Sequence, residues 1–175
     1  MSMELFEVIR NRRSIRAYKK QDVPEGTVEK LLDAARWAPS AGNIQPWAFV
    51  VATSLDVKRN LSLAAYSQRD VEEAPIVIVV CADEKRAQES YGERGKTLYC
   101  HQDTAAAVQN ILLSAYSLGL GSCWVGAFKE EQVRKVIKAP ESMKPVALII
   151  LGYPDEAPVA RGRRPLSEIM HKESF

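Results

Sequence analysis

The chain has 175 residues, 24 basic and 22 acidic side chains, a formal net charge of +2 and 46% hydrophobic residues. That length suits one ordinary domain with a sizeable core, and the hydrophobic content excludes a disordered chain. The near balance of charge argues against a dedicated nucleic-acid-binding protein, whose domains carry a marked basic excess. The longest apolar run, 146–151, is far shorter than the roughly 20 residues of a membrane span, so we expect no membrane segment.

Three cysteines, Cys81, Cys100 and Cys123, occur without a CxxC pair, and the first residues show no basic region followed by an apolar stretch. We therefore expect a protein of the reducing cytoplasm without disulfides. The only histidines are His101 and His171, so the sequence indicates neither a metal site nor a Cys-His catalytic pair. A protein without reactive side chains usually takes its chemistry from a cofactor.

Hydrophobic periodicity divides the first half of the chain into short helices and strands. The predicted elements, in chain order, are a helix capped by Ser2 with Leu5, Val8 and Ile9 on one face, a helix from Pro24 ended by Pro39, strand 47–53, helix 54–65, strand 76–81 and a charged loop from Asp83 to Lys96. Ser54 is placed to cap the third helix. The β-branched run 76–81 is continuously apolar, which is typical of a strand buried on both faces.

The second half of the chain continues the alternation of helices and strands. Its predicted elements are helix Thr104–Leu118, strand 122–125, helix 130–138, strand 145–152 and a tail over 162–175. The helix over 104–118 is apolar around most of its circumference and is closed by Gly119, so we expect it in the core or at an oligomer interface. Neither repeats nor linkers interrupt the chain, and we expect 1–175 to form one domain. Strands mixed with helices indicate an α+β or α/β class.

Two arginine clusters lie near opposite ends of the chain. The first contains Arg12, Arg13, Ser14 and Arg16, and the second contains Arg161, Arg163 and Arg164. A guanidinium group binds phosphate oxygens in a bidentate manner, and a neighbouring hydroxyl adds a directional hydrogen bond. If the fold brings the clusters together, they can surround one dianionic group. Either cluster alone is equally typical of a solvated, charged surface.

Two further segments join secondary-structure elements. The first, between a helix and a strand, contains Pro39, Ser40, Ala41 and Asn43. The amides of Asn43 and Gln45 suit the edge of a flat heterocycle, but the same loop is equally interpretable as a capped turn whose amides bind its own backbone. In the second segment Gly126 ends an apolar strand, where a bare backbone lets a ligand approach closely.

Together these residues resemble the nitroreductase family of flavoproteins. The resemblance is carried by four segments in the family's order, Arg12–Tyr18, Pro39–Trp47, Cys123–Phe128, and Gly152–Pro154 with the basic tail. It covers nearly the whole chain, and the length suits the compact branch of the family. It implies an α+β fold, a three-layer α-β-α sandwich with a mostly antiparallel central sheet, assembled as a domain-swapped homodimer.

The resemblance also implies an FMN site at the subunit interface. From one subunit it assigns to FMN the residues Arg12, Arg13, Ser14, Arg16 and Gln68. To the phosphate it further assigns Arg161 and Arg163, with Arg164 as a near alternative. From the second subunit it assigns Pro39, Ser40, Ala41 and Asn43. To flavin N5 it assigns the backbone N–H of Val125 or Gly126, and it makes Arg16 the cation that stabilises the reduced flavin.

The implied activity is that of an FMN-dependent oxidoreductase without a catalytic side chain or a metal. NADH or NADPH delivers a hydride to flavin N5 and leaves, and a nitroaromatic, quinone or similar small acceptor then takes the electrons in a ping-pong mechanism. Two alternatives stay open. One is a different reaction on the same scaffold (flavin breakdown, reductive dehalogenation or peptide dehydrogenation), and the other is a non-catalytic FMN-binding or carrier protein.

Three further expectations concern the assembly. The helix over 104–118 is expected at the dimer interface, and the tail over about 160–175 is expected to embrace the partner subunit. The compact branch leaves no room for the helical insertions that cover the flavin in larger members. The segment Asp83–Lys96 is therefore the candidate cover.

Overall fold

A computed structural model describes residues 3–175 of the chain, so Ser2, the predicted cap of the first helix, lies outside the described residues. At its centre lies an antiparallel four-stranded sheet with the strand order β1-β2-β4-β3. The strands are β1 (Trp47–Ala52), β2 (Ile76–Asp83), β3 (Gly121–Val125) and β4 (Met143–Gly152). Because β2 and β4 form the middle of the sheet, β1 and β3 are its two edges.

The two central strands read as continuous apolar runs because both of their faces are covered. Successive side chains of a strand point to opposite faces. On β2, Ile78 and Val80 belong to the core on one face, whereas Val77 and Val79 belong to the core on the other, and all four are fully buried. The prediction of a doubly buried strand at 76–81 is confirmed.

Helices form an outer layer on each face of the sheet. On one face lie α2 (Glu25–Arg36) and α6 (Cys100–Ser117). On the other face lie α3 (Leu55–Ala64), α4 (Arg69–Glu73) and α7 (Glu130–Val136). The two remaining helices are α1 (Leu5–Asn11), which contacts α6, and α5 (Glu84–Arg94). This is the α+β, three-layer arrangement around an antiparallel sheet that the resemblance implied.

Two predicted helix ends are confirmed by their local geometry. The hydroxyl of Ser54 accepts a hydrogen bond from the backbone N–H of Val57 and so caps the first turn of α3. Gly119 follows α6 with φ of 76°, the left-handed conformation that glycine adopts without a steric penalty. None of the helices within residues 3–175 is long and apolar enough to cross a membrane.

The prediction of a loop from Asp83 to Lys96 was wrong, because this segment contains α5. The carboxylate of Asp83 accepts a hydrogen bond from the backbone N–H of Arg86 at 3.0 Å and caps the helix. Lys85 and Glu89 form an ion pair one turn apart, at 3.9 Å. The helix buries only Ala87, so its sequence shows no apolar stripe from which helical periodicity could be recognised.

Two other elements differ from the prediction. α6 begins at Cys100 rather than at Thr104, and a π-helical turn over Gly95–Tyr99 joins it to α5. α4 was not predicted, because a helix of five residues is too short to display a 3.6-residue period.

Apolar side chains at both ends of the chain are exposed on the protomer. On α1, Leu5 and Phe6 are 63% and 70% exposed. Every residue from Asp155 onward is exposed, and this tail forms only one short 3₁₀ turn, over Leu166–Glu168. The tail therefore has no core of its own, in agreement with the prediction.

Candidate functional site

The first arginine cluster is fixed against the edge strand β3. The backbone N–H of Ile15 donates to the carbonyl of Ser122 at 3.0 Å, and this close pairing needs a glycine at position 121. A Cβ on Gly121 would lie 2.8 Å from the side chain of Ile15. The Tyr18 hydroxyl donates to the carbonyls of Ile15 and Ile150. Burial raises the pKa of Tyr18, so this hydroxyl keeps its proton and remains a donor.

The second arginine cluster is brought to the first by the chain that leaves β4. The backbone N–H of Asp155 donates to the carbonyl of Ala17 at 3.0 Å. One carboxylate oxygen of Glu156 accepts hydrogen bonds from the backbone N–H groups of Arg16, at 2.5 Å, and Ala17, at 3.1 Å. These contacts attach the start of the tail to the arginine segment. The tail then carries Arg161 and Arg163 to the same place.

The two clusters line one cavity of about 310 Å³. Its lining contains Arg12, Arg13, Ser14, Arg16, Glu156, Pro158, Val159, Arg161 and Arg163. Five guanidinium groups thus face a single carboxylate, and the cavity is strongly electropositive. The side chain of Arg164 does not line the cavity, because it pairs with Glu168 in the tail at 3.0 Å. Of the arginines assigned to the phosphate, the structure separates Arg164 from the others.

The guanidinium groups of the cavity differ in how fully they are already bonded. Arg13 donates to the carbonyls of Arg10 and Arg12, and Arg163 donates to carbonyls of the tail itself. Arg16 lies 3.7 Å from the carboxylate of Asp70. Within residues 3–175, the side chains of Arg12 and Arg161 have no hydrogen-bond or ion-pair partner, so their donors are available to a ligand.

Gln68, Val125 and Gly126 lie around the end of β3, the edge strand against which the arginine segment is fixed. The side-chain amide of Gln68 donates to the carbonyls of Ala65, at 2.8 Å, and Ala127, at 3.0 Å. Both of its N–H donors are therefore used within the protein, and its carbonyl oxygen is the group left for a ligand. Val125 is buried at the end of β3. A Cβ on Gly126 would meet nothing closer than 4.0 Å, so packing within the protomer does not require a glycine there.

The remaining predicted residues, Pro39, Ser40, Ala41 and Asn43, lie elsewhere on the protomer. Their loop leads into β1, at the opposite edge of the sheet from β3. Three strand spacings separate the two edges, which is about 14 Å. In the register of the sheet, Trp47 is aligned with Lys144 of β4, whereas Ser122 is paired with Leu151. The loop before β1 and the arginine segment beside Ser122 are therefore also about 24 Å apart along the strands. They do not share a cavity within one protomer.

The loop before β1 is an ordered turn with an unusual backbone. Gly42, Asn43 and Gln45 have φ of 54°, 57° and 52°, in the left-handed region. The Ser40 hydroxyl accepts from the N–H of Gln45 at 3.0 Å, and the Gln45 amide donates to both oxygens of Asn43. The interpretation as a turn that binds its own backbone is thus correct for these groups. The backbone N–H of Ala41 points instead to the carboxylate of Asp103.

Three residues of these sites were missed at the level of the sequence. Glu156 sits in a short polar stretch with no recognisable pattern. Asp103 directly precedes Thr104, at which the sequence predicts the start of an apolar helix, and an acidic residue at that place was the one available sign. Tyr91 packs against Gly42 and forms an edge-to-face pair with Tyr99, with ring centroids 5.4 Å apart, but it lay in the segment predicted as a loop.

Comparisons with known proteins identify the family. A family model described as the nitroreductase family matches residues 9–73 and 63–153. A Thermus thermophilus protein named NADH dehydrogenase is 34% identical, and the match covers 91% of this chain and 91% of that protein. A Bacillus subtilis protein named FMN reductase (NADPH) is 28% identical, and the match covers 97% of this chain and 74% of that protein.

Solved structures extend the likeness to three dimensions. The NADPH:FMN oxidoreductase from Vibrio harveyi, solved in complex with NAD⁺, superposes with a TM-score of 0.90 at 26% identity. The match covers 98% of this chain and 77% of the other. The fold, the order of the four sequence segments and the match to the family model all indicate the same family. The chain belongs to the nitroreductase family.

Proposed function

We propose that this protein is an FMN-dependent NAD(P)H oxidoreductase that works as a homodimer with two sites at the subunit interface. The observation that carries the proposal is the convergence of both arginine clusters on one cavity of about 310 Å³. Family membership, together with relatives named for NADH dehydrogenation and FMN reduction, supports an oxidoreductase that uses a nicotinamide donor.

The donor set of the cavity fits a phosphate monoester. The free guanidinium groups of Arg12 and Arg161 and the hydroxyl of Ser14 supply charge-assisted hydrogen bonds to its oxygens. Arg13 and Arg163 add positive charge while their own donors partly bind backbone carbonyls. Such bonds are worth about 1.5–3 kcal/mol each, so three of them supply a large part of the roughly 8 kcal/mol of a micromolar complex.

The flavin ring is proposed to lie beyond the phosphate, along Arg16, Gln68 and the end of β3. Bound FMN supplies hydride acceptance and return at N5, which makes NAD(P)H oxidation and acceptor reduction two separate half-reactions. Arg16 holds negative charge at the pyrimidine edge, and Asp70 orients its guanidinium. The backbone N–H of Val125 or Gly126 points a donor at N5. The acceptor is proposed to be a small molecule such as a quinone or a nitroaromatic compound.

The loop of Pro39, Ser40, Ala41 and Asn43 is proposed to complete the site from the second subunit. Its position at the far edge of the sheet supports this arrangement, because it cannot reach the arginine cavity of its own protomer. Exposed apolar side chains on α1, α6 and the tail support a second copy as the surface that covers them, among them Leu5, Phe6, Leu118, Leu166 and Met170. In this arrangement the tail over about 160–175 embraces the partner.

An absorption spectrum and an anaerobic reductive titration test the proposal. We expect a yellow protein, or one that takes up one FMN per chain when FMN is added, and bleaching of the flavin by NADH or NADPH. Restored colour on addition of a quinone completes the cycle. A protein that takes up no FMN contradicts the proposal, whereas flavin that binds but is reduced by neither nicotinamide indicates a carrier or a different reaction.

A further inference from the structure

The loop that the proposed function assigns to the partner's flavin is joined to the rest of its protomer by few hydrogen bonds. Its left-handed residues, Gly42, Asn43 and Gln45, include two that are not glycine, and such conformations persist only where the surroundings fix them. Most hydrogen bonds of the loop are internal and run between residues 40 and 47. Internal bonds alone fix the turn but not its position on the protein.

Apart from the backbone N–H of Asp83, which donates to the carbonyl of Pro46 where β1 begins, the external hydrogen bonds come from the two helices behind the loop. Asp103, in the first turn of α6, accepts from the backbone N–H of Ala41 with both carboxylate oxygens, at 3.2 and 3.3 Å. The guanidinium of Arg86, on α5, donates to the carbonyl of Ile44. The tyrosine ring at the distortion of α5, Tyr91, packs against Gly42, where a Cβ would collide with its hydroxyl. These three side chains hold the loop from behind.

Asp103 is the buried member of this group. Asp103 is only 7% exposed to solvent. Burial raises the pKa of Asp103, and the hydrogen bond from Ala41 acts in the opposite direction. A buried carboxylate is costly unless hydrogen bonds compensate for its lost hydration, and among the described residues the Ala41 N–H is its hydrogen-bond donor. The loop and the carboxylate therefore depend on each other.

We propose that Asp103 is a positioning residue for the cofactor site of the partner subunit, acting through the backbone N–H of Ala41 and assisted by Arg86. It touches neither the flavin nor the acceptor. It presets the loop of Ser40, Ala41 and Asn43 in the shape that meets the flavin across the interface. This inference rests on the proposed function, since it needs FMN bound between two copies of the chain.

The test is the FMN dissociation constant of matched variants of the full chain. Asp103→Ala removes the acceptor and should weaken FMN binding at least tenfold. Asp103→Asn keeps one acceptor oxygen for Ala41 and should stay within threefold of the unaltered protein. Thr104→Ala is the control, because the Thr104 hydroxyl is equally buried but bonds only within α6, to Cys100 and His101. It should also stay within threefold.

Arg86→Ala gives a second measurement that does not alter the core, because Arg86 is exposed. It should weaken FMN binding about three- to tenfold, and it decides the question if Asp103→Ala does not fold. Unchanged dissociation constants in Asp103→Ala and Arg86→Ala overturn the proposal. An equal loss in Asp103→Ala and Thr104→Ala also overturns it, because the effect is then one of general stability.

A mixed dimer shows whether Asp103 acts on its own or on the partner's site. One subunit carries Asp103→Ala and the other Arg161→Ala, with different affinity tags so that the heterodimer can be isolated. If the loop serves the partner, one site contains both changes and the other contains neither, so one FMN per dimer binds with unaltered affinity. Two weakened sites, neither of which binds FMN with unaltered affinity, contradict action across the interface. If the unaltered protein binds no FMN at all, the proposed function fails before this inference is reached.

Discussion

The unpaired guanidinium of Arg161 gives the sharpest test of the phosphate site. Arg161 and Arg164 lie three positions apart in the same exposed tail, yet only Arg161 lines the cavity, while Arg164 pairs with Glu168. We expect Arg161→Ala to weaken FMN binding and Arg164→Ala to leave it within threefold. The two variants lose the same charge from the same segment. They differ in their access to the cavity and in the Glu168 ion pair, which Arg164 makes and Arg161 does not.

The size of the effect follows from the contact that is lost. A charge-assisted hydrogen bond is worth about 1.5–3 kcal/mol, and each 1.4 kcal/mol changes a dissociation constant tenfold. Removal of Arg161 should therefore raise the dissociation constant by about 10- to 150-fold. Because the tail is exposed and salt screens charges over about 8 Å at physiological ionic strength, we expect a value near the lower end.

The assay is titration of the apoprotein with flavin, followed by quenching of flavin fluorescence at fixed ionic strength. Riboflavin, which lacks the phosphate, is the second ligand. Arg161→Ala should weaken the binding of FMN but leave the binding of riboflavin unchanged. Equal losses for both flavins, or equal dissociation constants for the Arg161 and Arg164 variants, would refute the reasoning that these guanidinium groups form a phosphate site.

Three other predictions concern the core, a buried thiol and the assembly. Ile149→Ala, at a fully buried position of β4, should lower the free energy of unfolding by about 2–5 kcal/mol in urea, whereas Leu55→Ala, 54% exposed, should change it by less than about 1 kcal/mol. Burial raises the pKa of Cys81 from 9.0 to about 11, so the native state keeps this proton longer than the unfolded state, and the free energy of unfolding should fall as pH rises through that window. Cys81→Ala should make this slope shallower, and an unchanged slope argues against the shift. Light scattering should give a mass near twice the 19.5 kDa of the chain, and deletion of 160–175 should weaken the dimer; a monomeric mass for the full chain contradicts a shared site.

The layout of the core could be predicted from the sequence because buried strands and helices have recognisable patterns of apolar residues. The runs 76–81 and 146–151, which form most of β2 and β4, are apolar at every position, and this is typical of strands covered on both faces. The caps at Ser54 and Gly119 were recognisable because each is a local interaction within a few residues. α5 was not predicted because it lies on the surface, where a helix does not need an apolar stripe.

Only part of the candidate site could be predicted from the sequence. The sequence shows two groups of arginines, but Arg161 and Arg164 are indistinguishable there, and only the path of the tail past Glu156 separates them. Gln68 carries an amide that suits a flavin, yet both of its N–H donors are taken by backbone carbonyls, one of them 59 residues away. A hydrogen bond between residues so distant along the chain produces no recognisable pattern in the sequence.

What the sequence alone determined is the four strands, most of the helices and the likeness to one family, because short-range patterns encode helices, strands and motifs. What only the tertiary structure decided is which residues meet. The arginine segment reaches the tail because β3 pairs with β4, from which the tail departs, and the loop before β1 is placed at the opposite edge of the sheet. These meetings depend on the order of strands in the sheet, and no local pattern of residues contains that order.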